Sequence, residues 1–421
     1  MEFITNLISL KELTTVFIGA FFVCFVGYAV GAVKVKGLNL GTAGVFLFAL
    51  LFGYLCTMSG LKGIPVLGKF FMSNAEDSKL EAYGIISDIG LIMFVTSVGS
   101  IAGPKFFRDL KKNAKTYVPM GVLIITIGAL VTALIASIDM IGPSYASGIL
   151  SGALTSTPAF SAAKETASNP ALVILGQAVA YPFGVIGVVL FVQIMPKILK
   201  VDIVQERARI SSIGSAPENA LQSNKKRVAL DDFGFAAFGL VLVLGLFLGS
   251  VKIPLSGDGY SGPTFSLGST GGPLIVALLI GHFGHIGPIS MKMNVNILKG
   301  LREFGLMLFL LGAGVEGGVV LVDQIGQNII DGWTILYGFI AGIVITIIPM
   351  VVGYVFARYV CKLPLLSNLG SITGGMTSTP ALGTLIGVAG TDDVAGAYAS
   401  TYPIALVLVV LASQLINTLM V

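Results

Sequence analysis

The hydrophobic pattern of the chain consists of long apolar runs separated by short polar segments. Ten of these runs approach the roughly 20 residues that a helix needs to cross a bilayer. We expect membrane spans at 14–33, 39–58, 83–103, 117–138, 171–195, 233–250, 270–287, 304–322, 333–357 and 395–418. Two further apolar segments, 145–165 and 365–390, are interrupted near their centres by Gly, Ser, Thr and Pro.

Composition supports a membrane protein. Of the 421 residues, 55% are hydrophobic and 11% are charged, whereas a soluble domain carries about 25% charged residues. This composition excludes a soluble enzyme, a disordered chain and a secreted disulfide scaffold. The net charge is +4, but the chain has no soluble domain that could carry a basic surface. We therefore expect no nucleic-acid partner. The sequence predicts an all-α polytopic membrane protein.

Four sequence landmarks occur twice, in the same order. Leu40–Gly44 resembles Leu267–Gly271, Asp88–Leu91 resembles Glu303–Leu306, Thr155–Ala159 is identical to Thr377–Ala381, and Tyr181-Pro182 is identical to Tyr402-Pro403. A common order makes chance resemblance improbable. We therefore divide the chain into a first membrane repeat at 1–196, a linker at 197–232 and a second membrane repeat at 233–421.

The distribution of Lys and Arg predicts the orientation of the repeats, because these residues collect on the cytoplasmic side of short loops. If each interrupted segment enters and leaves on one side, 19 of the 25 basic residues share a side. They lie in the loops at 34–38, 104–115, 197–232, 282–302 and 358–362. Each repeat then has five spans and one re-entrant hairpin, about 145–165 and 365–390. The repeats are inverted, the linker is cytoplasmic and both termini are extracytoplasmic.

Inverted repeats with interrupted segments at matching positions are typical of secondary transporters, whose site lies where the interruptions meet. Pro158 and Pro380 would each start a half-helix, and the positive N-terminus of that helix suits a carboxylate. The candidate binding residues at the tips are Thr155, Ser156, Thr157, Pro158, Thr377, Ser378, Thr379 and Pro380. The same hydroxyl and carbonyl groups could ligate Na⁺, or serve only to satisfy their own backbone.

Polar residues on the spans that follow the hairpins are further candidates. Gln177 and Tyr181 lie one turn apart and face the same side of their helix, and their repeat counterparts are Tyr398 and Tyr402. We expect Gln177, Tyr181 and Tyr402 to line the substrate path, with packing as the alternative. His282 and His285 lack a nearby carboxylate, so no metal site is expected there, and no cofactor is expected elsewhere.

The hairpin motif resembles that of a known family. Each half contains Gly-x-x-Thr-Ser-Thr-Pro-Ala, at 152–159 and 374–381, and in this the chain is similar to the aspartate:alanine exchanger family of bacterial transporters. The resemblance implies exchange of small amino acids or dicarboxylates across a bacterial inner membrane. Typical members carry a large hydrophilic region between the halves, whereas the linker here has about 36 residues.

An intramembrane enzyme and an ion channel are the functional classes that differ from a transporter. An intramembrane enzyme is disfavoured because the acidic pairs Asp231-Asp232 and Asp392-Asp393 lie at span boundaries and are not repeat-equivalent. An ion channel and a carboxylate symporter driven by Na⁺ or H⁺ remain alternatives. We expect the hairpins and adjoining spans to form the moving transport domain of an elevator-type homodimer, with the other spans as scaffold. Small side chains around both motifs predict a small carboxylate-bearing substrate.

Overall fold

The protein is all-α. The computed structural model describes residues 12–33, 41–62, 64, 67–72, 77–137, 141–214, 227–254, 264–326 and 332–420. The helices are α1 Glu12–Ala32, α2 Ala43–Cys56, α3 Ser59–Lys62, α4 Ser78–Ala136, α5 Pro143–Ala153, α6 Thr157–Thr166, α7 Pro170–Ile198, α8 Ile203–Gly214, α9 Phe235–Ser250, α10 Gly268–Phe283, α11 Val295–Gly326, α12 Gly332–Val355, α13 Leu365–Gly375, α14 Thr379–Ala389 and α15 Val394–Leu419. A π-helical turn, Phe356–Val360, extends α12.

Two short hairpins of β-strands complete the described structure. Strand β1 Ile253–Pro254 pairs with β2 Thr264–Phe265, and β3 His285–Ile286 pairs with β4 Ile289–Ser290, both antiparallel. The second pair begins directly after α10, which ends where Gly284 adopts a left-handed conformation with φ +66°. The span expected at 270–287 therefore ends earlier, and His285 lies in a strand.

Each of the ten expected spans contains a helix. Within the described ranges, seven helical segments are long and apolar enough to cross a membrane, and they are Leu13–Ala32, Ser78–Pro104, Lys115–Ala136, Leu172–Ile198, Val295–Asp323, Gly332–Val360 and Val394–Leu419. The remaining three expected spans correspond to the shorter apolar helices α2, α9 and α10, of 14, 16 and 16 residues. The chain is thus a polytopic helical membrane protein.

The prediction of a loop at 104–115 is wrong, because that segment is helical. Helix α4 runs for 59 residues and carries Pro104 and Pro119 within it. The stretch between these prolines contains four Lys and one Arg, which have high helix propensity. Its charges indicate a polar environment, but they do not determine the backbone conformation.

The chain forms two compact units that each draw on both sequence repeats. One comprises 1–91 and 304–337, and the other comprises 92–303 and 338–421. The core of the first unit is formed by small and branched apolar side chains of α1, α2 and α11, including Val23, Ala49 and Val315, all fully or almost fully buried. The second unit contains both interrupted segments, the linker helix α8, and helices α7 and α15.

One helix contact of the first repeat recurs in the second. In the first unit a Cβ on Gly31 would overlap the carbonyl oxygen of Gly41, and in the second unit a Cβ on Gly249 would overlap that of Gly268. Gly41 and Gly268 both have positive φ, +53° and +67°. Only glycine allows this close approach, so the structure supports the duplication inferred from the sequence.

Candidate functional site

Both interrupted segments are helix pairs with the same three-residue break. Helices α5 and α6 are separated by 154–156, and helices α13 and α14 by 376–378. At the first break Thr155 N–H donates to Gly152 O (3.0 Å) and Ser156 N–H donates to Ser151 O (2.8 Å). This pair of bonds closes the helix end in a Schellman motif. The second break contains the equivalent pair of hydrogen bonds.

Threonine occupies the position in each motif that usually belongs to glycine. Thr155 has φ +53° and Thr377 has φ +49°. A β-branched side chain in this left-handed region is a genuine outlier, which costs on the order of 1–3 kcal/mol and is found at functional sites. The strain is present in both copies, so the hydroxyl or methyl group of threonine serves a purpose that glycine would not.

The two threonines connect the breaks to each other. Thr377 Oγ1 donates to the carbonyl oxygen of Leu154 at 2.6 Å, and Thr155 Oγ1 donates to the carbonyl oxygen of Thr377 at 3.4 Å. Each repeat therefore uses its strained threonine to hold the backbone of the other. The structure brings the sequence-predicted tips together, and both threonines are buried there.

Helices α6 and α14 begin at this junction. Pro158 and Pro380 occupy the second helical position of each, where a missing backbone N–H removes no hydrogen bond. The N-terminal ends carry partial positive charge and unpaired amide groups. These two ends are therefore suited to hold an anion. The side chain of Thr157 lies outside the described residues, and that of Thr379 is buried.

The two N-cap serines differ. Ser156 Oγ accepts from the backbone N–H of Ala159 at 3.4 Å. Ser378 Oγ is completely buried and has no hydrogen-bond partner among the described residues. A buried hydroxyl without a partner costs about 1–3 kcal/mol. Ser378 Oγ is therefore a polar atom of the second tip that the described part of the protein leaves unsatisfied.

Helices α7 and α15 pack closely behind the tips. A Cβ on Gly152 would lie 2.8 Å from the carbonyl oxygen of Gln177 and 2.9 Å from the nitrogen of Tyr181. A Cβ on Gly374 would lie 2.6 Å from the carbonyl oxygen of Tyr398. These glycines precede the strained threonines by three residues, so the structure places Gln177 and its repeat counterpart beside the two breaks.

Two side chains on these helices have buried polar atoms without partners. Gln177 Oε1 and the hydroxyl of Tyr398 make no hydrogen bond within the described part of the chain. The ring of Tyr398 stacks on that of Tyr402, with centroids 5.1 Å apart and an interplanar angle of 27°. Tyr402 is buried and Tyr181 is half-buried. The polar residues predicted from the sequence thus lie on the two helices that pack against the tips, and Tyr398 belongs to the same group.

The first helix pair folds back on itself. Ser147 Oγ near the start of α5 donates to Asn417 Oδ1 (3.0 Å), and Asn417 Nδ2 donates to the carbonyl oxygen of Ala163 near the end of α6 (2.9 Å). Asn417 is buried on α15 and also donates to Thr166 Oγ1 at 3.2 Å. One side chain of the second repeat therefore joins both ends of the first hairpin.

The second helix pair is closed by the linker helix α8. Glu206 Oε2 accepts from the N–H of Leu365, the first residue of α13, at 2.6 Å. The neighbouring Arg207 Nε donates to the carbonyl oxygen of Ala389, the last residue of α14, at 2.9 Å. A carboxylate at a helix start and a cation at a helix end both suit the helix dipole. The bases of the two hairpins are thus held by different parts of the chain.

Several other sequence candidates have structural roles or remain apart from the tips. Asp231 caps α9, and its pKa is lowered by hydrogen bonds from the backbone N–H of Ala236 and its neighbours. Lys164 is exposed, with its ammonium 5.1 Å from the ring centroid of Phe160. No group of three His, Cys, Asp or Glu side chains that could hold a metal occurs in the described ranges.

Sequence reasoning missed Asn417 and the full role of Tyr398. The repeat identified Tyr398 as the counterpart of Gln177, but Tyr398 was not among the predicted binding residues. Asn417 had one signal, a polar amide near the end of an apolar span, but its partners lie more than 250 residues away. The pairing of Glu206 with Leu365 had no signal in the sequence.

The sequence was compared with known proteins. The profile of the Asp-Al_Ex family, described as "Predicted Permease Membrane Region", matches residues 19–197 and 237–418. These two regions lie in the two repeats, and the gap between them, 198–236, covers almost all of the linker. The family description concerns a membrane permease.

Curated relatives align over almost their entire length. An "Uncharacterized transporter" of Bacteroides fragilis is 26% identical over 551 aligned positions, which cover 94% of this chain and 97% of the relative. Proteins with the same description from Bacteroides thetaiotaomicron and Rhodopirellula baltica are 26% and 25% identical, over 94% and 92% of this chain and 97% and 96% of theirs.

The length of these alignments shows that the relatives contain positions that this chain lacks. The first alignment has 551 positions and this chain has 421 residues, so at least 130 positions have no counterpart here. Both repeats are nevertheless matched by the family profile, which covers well over half of the chain. The chain belongs to the aspartate:alanine exchanger family of permease membrane proteins.

Proposed function

We propose that this protein is a secondary active transporter that exchanges small carboxylate-bearing solutes, such as aspartate, alanine or dicarboxylates, by alternating access. The observation that carries the proposal is the junction of the two hairpin tips. Two strained threonines hold it together, and the buried, unsatisfied hydroxyl of Ser378 lies at the start of one of the two converging helices. Repeat-related tips that meet in this way are typical of transporter binding sites.

A carboxylate is the substrate group that this junction suits best. The N-terminal ends of α6 and α14 supply partial positive charge and amide donors. Ser378, Gln177 and Tyr398 supply further polar atoms. The side chains that follow each tip are small, including Ala159, Ala162 and Ala163 in α6 and Ala381 in α14. These small side chains favour a small anion or zwitterion over a bulky solute.

The expected topology is supported by contacts among segments that were assigned to one side. Val228 of the linker exchanges backbone hydrogen bonds with Pro288 and Ser290 of the 282–302 loop. Lys299 of that loop pairs with Asp392, which follows the second hairpin, at 2.8 Å. We therefore infer a cytoplasmic face in an inner membrane that includes the linker, with both termini on the opposite face.

A counterflow experiment tests the proposal. Proteoliposomes loaded with unlabelled aspartate should take up labelled aspartate transiently. Proteoliposomes that contain no internal aspartate should take up little. Alanine and succinate should compete for uptake, and glucose should not. Accumulation that requires an inward Na⁺ or H⁺ gradient would favour a symporter instead. A solute-dependent current that does not saturate would favour a channel. Transport of an uncharged sugar without any response to carboxylates would contradict the proposal.

We also propose that the two hairpins with α7 and α15 form the moving part of an elevator-type homodimer. These four elements pack against one another through the glycine contacts behind the tips. A moving element needs such internal contacts to travel as one body. Cross-linking this part to the rest of the chain through an introduced cysteine pair should block counterflow, and reduction should restore it. Uninterrupted exchange in a fully cross-linked protein would contradict this arrangement.

A further inference from the structure

A cavity of about 580 Å³ lies beside the base of the second hairpin, away from the tips. It is formed by the turn that follows α7, the first turns of α8 and the segment that leads from α12 into α13. Its lining residues are Lys200, Val201, Asp202, Gln205, Glu206, Arg209, Arg358, Lys362, Leu363, Pro364 and Leu365. The volume is within the range of about 300–1,000 Å³ that small-molecule sites occupy.

The cavity has an excess of positive charge. Four of its lining side chains are cationic and two are acidic. Both acidic groups already have partners within the protein. Glu206 accepts from the N–H of Leu365 and from Arg209 (2.8 Å), and Asp202 Oδ1 accepts from the N–H of Val204 (2.8 Å). Lys200, Arg358 and Lys362 form no ion pair within the described residues, although Arg358 also interacts with Tyr354, so all three can attract an anion from outside.

Two of these cationic residues have an unusual backbone conformation. Lys200 and Lys362 have φ +52° and +54°, and each follows the end of a long helix, α7 or the π-helical extension of α12. A left-handed lysine is uncommon because glycine or asparagine fits that conformation better. The turns thus place two flexible ammonium groups at one cavity from chain positions 162 residues apart.

We propose that this cavity binds a phosphate-bearing anion and that the bound anion stabilises the base of the second hairpin. Lysine and arginine side chains are suited to phosphate oxygens through charge-assisted hydrogen bonds. Glu206 links the cavity to the hairpin, since the same carboxylate lines the cavity and caps α13. The phosphate can come from a soluble compound such as a nucleotide or from a phospholipid headgroup.

The test compares two variants of the full-length purified protein that each lose three cations. The first is K200Q/R358Q/K362Q in the cavity. The matched control is K69Q/K252Q/K292Q, which removes three exposed lysines elsewhere. Thermal unfolding is followed in detergent with increasing pyrophosphate. It is also followed in nanodiscs of phosphatidylcholine with and without phosphatidylglycerol.

If the natural ligand of the cavity is a soluble compound, pyrophosphate should raise the unfolding temperature of the wild type and of the control variant. In the cavity variant the apparent affinity should fall about tenfold or more for each hydrogen bond lost. For a lipid ligand, only phosphatidylglycerol should stabilise the wild type and the control, and the cavity variant should not respond. Equal responses of the two variants to both anions, or no response of the wild type to either, would overturn the proposal.

A second measurement covers the case in which the cavity variant does not fold. Wild-type protein is acetylated with an amine reagent with and without pyrophosphate or phosphatidylglycerol, and the modified lysines are identified by mass spectrometry. Lys200 and Lys362 should be protected by the stabilising anion, while Lys252 should react equally in both samples. Equal modification of all three lysines would overturn the proposal. Neither readout depends on transport, so this proposal can fail independently of the proposed function.

Discussion

Thr377 donates its hydroxyl hydrogen to the backbone of the first hairpin, while Thr155 donates to the backbone of Thr377. The two bonds are not equal, with lengths of 2.6 and 3.4 Å. The shorter bond has near-ideal geometry for a hydroxyl donor, whereas the longer bond is at the limit of the interaction. Thr377 therefore contributes more than Thr155 to the junction between the repeats.

Replacing Thr377 by Val should destabilise the protein more than replacing Thr155 by Val. Both changes keep the side-chain shape, but the first removes a strong hydrogen bond and leaves Leu154 O without that donor. We expect a loss of about 1 kcal/mol for Thr377→Val and less for Thr155→Val. Thermal unfolding of the purified variants measures this difference. A larger effect at Thr155 would contradict the assigned geometry.

Glycine variants separate the hydrogen bond from the backbone strain. Thr377→Gly should be more stable than Thr377→Ala, because both lose the hydroxyl but only glycine relieves the positive φ. In an ordinary helix glycine is the less stable of the two by up to about 1 kcal/mol. The reversed order is therefore specific to the left-handed position. The same unfolding assay compares the two variants directly.

Ser378→Ala should weaken substrate binding without lowering the stability of the ligand-free protein. Ser378 Oγ has no partner in the described structure, so its removal breaks no internal bond. A hydrogen bond to a charged substrate contributes roughly 1.5–3 kcal/mol, which corresponds to about a tenfold or larger loss of affinity. Ser156→Ala should lose affinity too, and about 1 kcal/mol of stability in addition, because Ser156 caps a helix.

Ligand titrations followed by thermal unfolding give both quantities for the two serine variants. Ser250→Ala is a suitable control, since Ser250 is exposed at the end of α9 and bonds only within its own helix. Unchanged affinity in both tip variants would assign these serines to packing rather than to substrate binding.

Asn417→Ala should loosen the first hairpin. The change removes the amide that joins Ser147 to Ala163 and with it three hydrogen bonds, to Ser147, Ala163 and Thr166. We expect a loss of stability of about 1–3 kcal/mol and faster proteolysis near 143–166. Thr418→Val is the control, because Thr418 is exposed and bonds only within α15. Identical unfolding and proteolysis of the two variants would show that Asn417 does not hold the hairpin.

The ion pairs around Asp392 should weaken in acid. Burial acts first and raises the pKa of Asp392, but hydrogen bonds from Lys299 and Arg302 outweigh it and hold the pKa below its ordinary value. A carboxylate with a lowered pKa contributes stability above its unfolded pKa, near 3.9, and loses that contribution as pH falls through the folded pKa. Asp392→Asn should therefore remove part of the loss of stability below about pH 4. An unaltered acid profile would show that this pairing contributes nothing.

Thiol labelling tests the orientation of the linker. In a cysteine-free background, cysteines at Asn113 and Ser223 should resist impermeant thiol reagents in intact cells, while a cysteine at Ser261 should react. Ser223 and Ser261 lie outside the described residues, and the prediction rests on the distribution of Lys and Arg. Labelling at Ser223 but not at Ser261 would reverse the proposed orientation.

Local sequence features were sufficient to locate the interrupted segments. The expected hairpins at 145–165 and 365–390 correspond to helix pairs at 143–166 and 365–389. Proline at the second helical position and the residues before it determine where a helix starts and ends, and these effects act within one or two turns. The loop expected at 104–115 was wrong for a related reason. Charge predicts exposure to water, but local helix propensity decides the backbone there.

The sequence by itself determined the duplication, the apolar spans and the composition of the two tips, because these follow from residue order and short-range preferences. Only the tertiary structure decided that Thr155 and Thr377 hold each other, that Asn417 closes one hairpin and that Glu206 and Arg207 close the other. These contacts join residues 159–270 positions apart. Hydrogen bonds over such distances depend on how the helices pack, and packing depends on the whole chain at once.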